Sequence, residues 1–576
     1  MRIVRREVPQ VPLLDDTTFP PLLGRIFASR GVRTSDEVRH TLDGLPSFTQ
    51  LRGIEQATAV LETALRDGKR ILIIGDFDAD GATSTALAVR ALRLLGGGEV
   101  DFLVPNRFEY GYGLTPEIVA VAAQRRPDLI VTVDNGISSL DGVAAAEECG
   151  IRVLITDHHL PAAQLPPADA IVNPNQPQDA FPSKALAGVG VIFYVMLALR
   201  ARLRANGWFD ERGLTEPNLA QLLDLVALGT VADVVPLDQV NRTLVAQGLA
   251  RIRSGNCCAG IQALIEVSGR SQERMVATDL GFALGPRLNA AGRMDDMSLG
   301  IRCLLTEDME EARALAQQLD NLNHERRAVE QEMKEQALAD LARMQLDDTV
   351  TLPAGLCLYD PAWHQGVIGI LASRIKDQLH RPVIVFTDSS DQEIKGSARS
   401  VTGLHIRDAL DAVAATHPGL LVKFGGHAMA AGLTLRRDAL EVFRNAFEAE
   451  VVRQLGETPP EPQLLSDGEI TPESAQLDLA EQLRLASPWG QGFAEPLFDG
   501  EFEVLQQRVV GERHLKLVLR WPQLRQTVDA IAFNADLANW PADTRRARLA
   551  YRLDVNEFRN QRSLQLIVEY MEPIPH

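Results

Sequence analysis

Acidic and histidine side chains recur in five short segments of the chain. They are Asp76-Phe-Asp78-Ala-Asp80-Gly81, Val133-Asp134-Asn-Gly136, Thr156-Asp157-His158-His159, Ala232-Asp233 within the run Leu228 to Pro236, and, far downstream, Gly425-Gly426-His427. The first three follow apolar runs that read as buried strands: Ile71 to Ile74, Leu129 to Val133 and Val153 to Thr156. In an open parallel α/β sheet, residues just past the carboxyl ends of the strands converge on one crevice. Asp76, Asp78 and Asp80 alternate, and alternate side chains of an extended strand end share a face. Gly81 permits a tight turn, after which Ala82-Thr-Ser-Thr85 is expected to open a helix. Crowded carboxylates repel unless cations lie between them, and Mg²⁺ and Mn²⁺ take oxygen and mixed oxygen/nitrogen ligands of this kind. Asp233 sits in an apolar run, where burying a lone carboxylate is costly; metal ligation would account for it. Alone, Asp-x-Asp-x-Asp-Gly also reads as a solvated acidic turn or as an EF-hand loop, although the later ligands of an EF-hand are missing.

From about 51 to 300, strand-like runs alternate with helical patterns, the signature of βαβ units and a parallel sheet. Ala185 to Leu199 is the longest apolar stretch. It falls short of the roughly 20 residues a membrane helix needs and reads as a buried helix. Thr306 to Gln345 contains neither proline nor glycine. Its apolar stripe predicts one helix with Thr306 at the N-cap, about 60 Å long at 1.5 Å per residue, a strut between two lobes. A second α/β unit follows, with strands at 355–359 and 382–386 and a helix at 366–378. A shorter helix is expected over Ser35 to Leu42. After Phe498 come five β-rich runs, 502–510, 514–521, 527–533, 548–556 and 564–571, which suit a small barrel of the OB type. The resulting boundaries are 1–50, 51–300, 301–350 for the connecting helix, 351–456 and 457–576. The proline-rich break at 458–462 reads as a joint beyond which the chain is separable, and Arg508, Arg513, Lys516, Arg520 and Arg525 read as phosphate contacts of that last part.

At 576 residues the chain is too long for one core. Its net charge of −19 argues against broad nonspecific binding to nucleic acid, but net charge does not report local fields. The basic N-terminus lacks an apolar core segment, so a secretory signal is not expected. The five cysteines are scattered without a Cys-x-x-Cys pair. They read as reduced thiols of a cytosolic protein.

The segments Asp-Phe-Asp-Ala-Asp-Gly-Ala-Thr, Val-Asp-Asn-Gly-Ile-Ser, Thr-Asp-His-His and Leu-Gly-Thr-Val-Ala-Asp-Val-Val-Pro-Leu resemble the successive motifs of the DHH phosphoesterase superfamily. Gly396-Ser-Ala-Arg-Ser400 and Gly425-Gly-His427 resemble its DHHA1 companion domain. With Pro105 to Gly113 and Gly285 to Arg293 included, the resemblance extends over nearly the whole chain to the RecJ exonuclease family. It implies an α/β fold: a parallel-sheet DHH domain joined by a long helix to a DHHA1 domain, plus a C-terminal five-stranded OB-like barrel. It implies 5′-to-3′ degradation of single-stranded DNA in repair and recombination, with Mn²⁺ or Mg²⁺ required. The metal ligands it implies are Asp76, Asp78, Asp134, His158 and Asp233. Two-metal chemistry makes Asp134 the bridge, places Asp78, His158 and Asp233 at one ion and Asp76 at the other, and gives His159 the phosphate, with Asp157 and Asp80 orienting ligands.

The substrate contacts implied are Arg107, Arg287 and Arg293 in the first lobe and Ser397, Arg399, Gly426 and His427 in the second, donors that suit a terminal phosphate. Trp363 reads equally as a base-stacking residue and as a core tryptophan. A single strand threading between the lobes would meet metals on one side and the phosphate donors on the other. Partners implied are single-stranded-DNA-binding protein and a helicase; a cytoplasmic monomer without membrane contact is expected. Two other functions compete. One is a DHH phosphodiesterase acting on short oligonucleotides, cyclic dinucleotides or pyrophosphate, disfavoured by the C-terminal barrel. The other is a non-catalytic DNA-binding scaffold, disfavoured by the intact acidic and histidine set.

Overall fold

The computed structural model describes residues 1–9, 19–106, 113–345, 352–456, 461–511, 513–522, 526–537, 540–558 and 561–575. Arg107 and Arg525 lie outside the described residues. The chain divides into two compact units, one of residues 3–320 with 465–576, the other of 1–2 with 321–464.

The first unit is built on a five-stranded parallel sheet in the order Val100–Leu103, Ile71–Gly75, Leu129–Val133, Arg152–Thr156, Ala170–Val172. The second and third of these are buried at every position, as expected of all-parallel strands covered on both faces. Gly75 pairs with Val133, and Val133 with Thr156. Asp76, Asp134 and Asp157 therefore leave three adjacent strands at one level. The apolar stretch near 185–199 forms the helix Gly188–Ala205, most of whose residues are buried. The helix Leu223–Ala232 ends at Asp233. It is held by the helix Gln239–Arg253 at Gly248, where a Cβ would stand 2.1 Å from the Leu223 carbonyl oxygen and 2.5 Å from the Ala227 Cβ.

Two helices differ from expectation. The segment 35–42 forms a 3₁₀ turn, Ser35–Val38, and the start of another, Leu42–Gly44, because His40 between them takes a left-handed φ of 54° and its ring is drawn to the Ser487 hydroxyl at 3.0 Å. The long helix runs from Met309 to Gln345, 37 residues. Its first turn is capped by Asp308, whose carboxylate accepts from the Glu310 and Glu311 N–H groups, while Thr306 turns to the Glu311 side chain. The helix starts in the first unit and ends in the second.

The C-terminal strands close into a barrel ordered Phe498–Val510, His514–Arg520, Thr527–Ala532, Gln561–Pro573, Arg546–Phe558. The parallel pairing of the third with the fourth is what closes it. The expectation of a separable C-terminal part fails, because residues 465–576 share a core with the N-terminal helices. Trp489 and Phe493 stack on Phe27, Arg30 forms a buried pair with Asp467 at 2.7 Å, and Arg5 pairs with Asp499. Of the proposed phosphate contacts, Lys516 and Arg520 are paired with Asp529 and Glu503, whereas Arg508 and Arg513 are exposed.

The second unit carries a mixed sheet in the order Leu421–Gly426, Ala430–Arg436, Glu393–Arg399, Val383–Asp388, Leu356–Tyr359. Only the last two run parallel. Phe386, Phe443 and Phe447 centre its core. Trp363 is buried rather than on a surface, and its indole N–H donates to Gln336 of the long helix. Among the described residues no helix is long and apolar enough to cross a membrane.

Gly248→Ala is expected to remain folded but to lose about 1–3 kcal/mol in urea denaturation, since its methyl overlaps the backbone of the Asp233 helix. Gly24→Ala, whose Cβ meets nothing within 4 Å in the helix Pro21–Ala28, should instead gain about 0.5 kcal/mol.

Candidate metal centre

Asp76 follows its strand directly. Asp78 caps the next helix, Ala79–Leu94, by accepting from the Gly81 N–H at 3.0 Å. That helix starts three residues earlier than the sequence predicts. Asp80 therefore lies in its first turn, not on an extended strand end beside Asp76 and Asp78. Its two carboxylate oxygens accept from the N–H groups of Gly188 (2.7 Å) and Val189 (2.9 Å), the opening residues of the buried helix. Asp80 thus joins two helices at the centre of the site.

Asp134 has a φ of 62°, a left-handed conformation that few residues other than glycine, asparagine and aspartate adopt readily. Asn135 fixes this turn by donating to the carbonyls of Ile74 and Val133. Gly188 makes room for it: a Cβ there would come within 2.7 Å of the Asp134 side chain. Asp157 accepts from the Ile137 N–H with one oxygen and from the His159 ring Nδ1 (2.7 Å) with the other. His158 Nε2 stands 3.0 Å from Asp134, 3.5 Å from Asp233 and 3.9 Å from Asp80. Asn175 and Asn173 hold the backbone of the histidine pair through the carbonyls of His158 and His159.

The electrostatics are those of anions crowded out of water. Burial first, then the charges of Asp80, Asp78, Asp233 and Asp76, push the Asp134 carboxyl well above the usual carboxylate range. Asp233 is raised in the same way by burial and by Asp80, Asp78 and Asp76. Asp80 is pushed up to about 7 by burial and by Asp78, against the pull of its two N–H donors. Burial opposes the ionised form of Asp157 too, but the His159 hydrogen bond and the charges of both histidines outweigh it and hold that carboxyl low. For His159, burial disfavours the imidazolium, yet the Asp157 bond and the charges of Asp157, Asp76 and Asp78 lift it to about 9.

Three overlapping donor sets result: Asp76, Asp78 and Asp134; Asp134, His158 and His159; and Asp80, His158 and Asp233. Within each set the donor atoms lie within 4.8 Å of one another. Mixed carboxylate and imidazole donors at this spacing fit hard divalent cations, which would also remove the repulsion. Asp134 and His158 each belong to two sets. Asp78 groups with Asp76 and Asp134 rather than with His158 and Asp233, and Asp80 approaches the pair in its place. Sequence reasoning passed over Asn135, Asn175, Gly188 and Asn289. The last accepts from the Ala79 N–H at 2.9 Å, beside Asp78. Asn135 and Asn289 lay inside motifs already noted; Gly188 carried no signal, because its role is set by a residue 54 positions earlier.

The arginine assignments separate. Arg287 is buried and bonded to Asp320 at 2.8 Å and to the Ala283 carbonyl, an internal brace. Arg293 is half-buried at the end of the helix Gly285–Met294, and Gly292 packs against the Phe77 carbonyl. In the second unit, Arg399 donates to the hydroxyls of Ser373 and Ser397 and to the Ala398 carbonyl. Burial lowers its affinity for its proton, and no carboxylate among the described residues pairs with it. Gly369 faces this group, with room for no side chain: a Cβ would stand 2.8 Å from the guanidinium. Ala430 pairs in the sheet with Arg399 and accepts from the His427 N–H, and Gly426 approaches Ala430 and Ala431 too closely for any Cβ. Ser397 and Arg399 thus sit on one strand, Gly426 ends the strand two places away in the sheet, and His427 lies in the turn that leads from it into the strand between them.

Three family models match the chain: the DHH family N-terminal domain over residues 70–230, the DHHA1 domain over 353–453 and the RecJ OB domain over 466–570. The chain is 57% identical over 571 residues to the single-stranded-DNA-specific exonuclease RecJ of Dickeya dadantii, covering 99% of both chains. It is 54% identical to the protein of that name from Escherichia coli K12, over 100% of this chain and 99% of the relative. In three dimensions it is similar to RecJ of Thermus thermophilus in complex with Mn²⁺, with a TM-score of 0.80 and 31% identity over 100% of this chain and 80% of the other.

Asp134→Asn should move metal affinity and metal-free stability in opposite directions. Without metal, Asp80 keeps its proton in the folded state up to about pH 7, while unfolded it ionises near 3.8. Metal-free protein should therefore lose stability as pH rises from about 4 to 7. Asp134→Asn removes one of the crowded charges. Calorimetry should show Mn²⁺ affinity falling by more than the roughly 100-fold that loss of an outer-shell partner causes. Thermal melts in EDTA at pH 7.5 should show a higher midpoint than the unsubstituted protein. A lower midpoint would contradict the crowding account.

Proposed function

The chain belongs to the RecJ family, and on that premise we propose that it hydrolyses single-stranded DNA from the 5′ end, one phosphodiester at a time, with two Mn²⁺ or Mg²⁺ ions. The observation that carries this reading is the overlap of the donor sets at Asp134 and His158, a geometry that favours two neighbouring cations over one. When bound, such a pair supplies an acidified water and neutralises charge on the phosphate. Asp76, Asp78, Asp134, His158 and Asp233 hold the pair. Asp80 keeps the two helices of the site in place through one backbone N–H bond to each oxygen, and it also stands in the donor set with His158 and Asp233. Asp157 fixes the Nδ1 proton of His159 and so turns Nε2 to the phosphate, where an imidazolium offsets the developing charge.

The terminal phosphate falls to Ser397, Arg399, Gly426 and His427. The Arg399 guanidinium is half-buried among hydroxyls, with no counter-charge among the described residues, a state that a phosphate would relieve. Arg107 and Arg293 remain proposed strand contacts, and Arg287 a positioning residue. We further propose a role in repair and recombination in the cytoplasm, as a monomer, with single-stranded-DNA-binding protein and a helicase supplying unwound ends; the family resemblance supports these.

The test is digestion of 5′- and 3′-labelled single strands in Mn²⁺, Mg²⁺ or EDTA. Label should leave the 5′ end first, and EDTA should abolish the reaction; release from the 3′ end would refute the polarity. Asp134→Ala, folded by circular dichroism, should be inactive. Arg399→Ala should raise KM for 5′-phosphorylated strands about 10- to 100-fold, the worth of a hydrogen bond to a charged group, and leave Mn²⁺ affinity unchanged. Lost Mn²⁺ affinity with unchanged KM would overturn this division of roles.

A further inference from the structure

The three most exposed large apolar side chains among the described residues are Phe282 (75%), Val234 (63%) and Leu160 (59%). All three flank the metal centre. Leu160 follows His159, and Val234 follows Asp233. Phe282 lies on the segment that packs on the end of the Asp233 helix: Gly281 faces the Val231 side chain, and Gly285 faces Ala232. Exposed apolar surface beside a cluster of carboxylates needs a cause.

Local backbone supports the same point. Val234 has a φ of 61°, a strained conformation for a β-branched residue, and strain of this kind clusters at ligand sites. Phe282 stands in a π-helical turn, Leu280–Leu284, an irregularity frequent at functional sites. The helix that continues from it is fixed at its far end to the other side of the centre, through Asn289 to Ala79 and Gly292 to Phe77. The turn is therefore anchored on both sides, and it presents one aromatic ring to solvent.

We infer that Phe282, with Val234 and Leu160, forms an apolar rim that receives the unstacked bases next to the phosphate at the metal centre. This inference rests on the nuclease reading above and names what selects an unpaired strand. A strand whose phosphate enters the carboxylate cluster brings bases to its edge, and every base has a face that an aromatic ring can stack on, whatever the sequence. In a duplex those faces are already stacked on one another and are not available.

The experiment compares an oligo-dT strand with an abasic strand of the same length, which keeps phosphates and sugars but carries no bases, both 5′-phosphorylated and with Mn²⁺. The unsubstituted protein should show a KM about tenfold or more lower for oligo-dT. Phe282→Ala should raise KM for oligo-dT to near the abasic value with kcat and Mn²⁺ affinity kept; Phe282→Trp should restore the preference, and Phe282→Leu should not. Equal KM values for the two strands in the unsubstituted protein, or a Phe282→Ala protein that keeps the preference, would overturn the inference while leaving the nuclease reading standing. If the unsubstituted protein cleaves neither strand, the nuclease reading fails, and this inference with it. Loss of Mn²⁺ affinity in Phe282→Ala would show that the turn supports the metal centre instead.

Discussion

Asp76, Asp78 and Asp80 are brought together with Asp134 and Asp233, where their charges raise the cost of ionising those two carboxyls. Most of the surrounding structure keeps them from moving apart. In-register strand pairing brings Asp76, Asp134 and Asp157 out side by side. Asn135 locks the left-handed turn at Asp134, and Gly188 yields the space that the turn needs. Asp80 ties two helix starts together with hydrogen bonds that a carboxylate makes best when charged, although burial favours its neutral form. Stability and metal affinity therefore pull in opposite directions: tighter fixing of the carboxylates improves the cation site and worsens the metal-free fold.

The parts of this site legible in the sequence were those set by local pattern. A buried strand reads as an apolar run, and an aspartate after such a run reads as a strand-end residue. That reasoning holds for Asp76, Asp134 and Asp157. It failed for Asp80, because alternation was extended through a position where a helix had already begun. Asp78 is itself the cap that starts that helix, a role an aspartate before a helix often takes. Gly188 could not be found at all, since nothing near it in sequence records the packing against Asp134.

The same limit applies on a larger scale. The proline-rich stretch at 458–462 reads as a joint, and local composition supports that reading. Yet Arg30 and Asp467 form a buried pair, and the Trp489 ring covers Phe27, across more than four hundred residues. Trp489 and Phe493, between the helix Leu477–Leu485 and the barrel, complete the core around the helix Pro21–Ala28. Residues 35–42 show the local cost of that arrangement. A helix that its composition favours is cut short at His40, whose ring is bound to Ser487 instead, and burial there lowers the imidazole to about 4.

Net charge was a poor guide to partner for a related reason. A charge of −19 is a sum over the whole chain, whereas recognition depends on groups whose charge the fold leaves uncompensated. The first unit gathers buried carboxylates in excess of its nearby cations. The second holds a guanidinium among serine hydroxyls, with no carboxylate beside it among the described residues. A cluster of carboxylates calls for cations and an unpaired guanidinium calls for an anion, so the two places differ in the charge that would complement them. Surface acids elsewhere add to that sum without touching either group. A sum over the whole chain hides both local imbalances, because opposite charges elsewhere cancel in it.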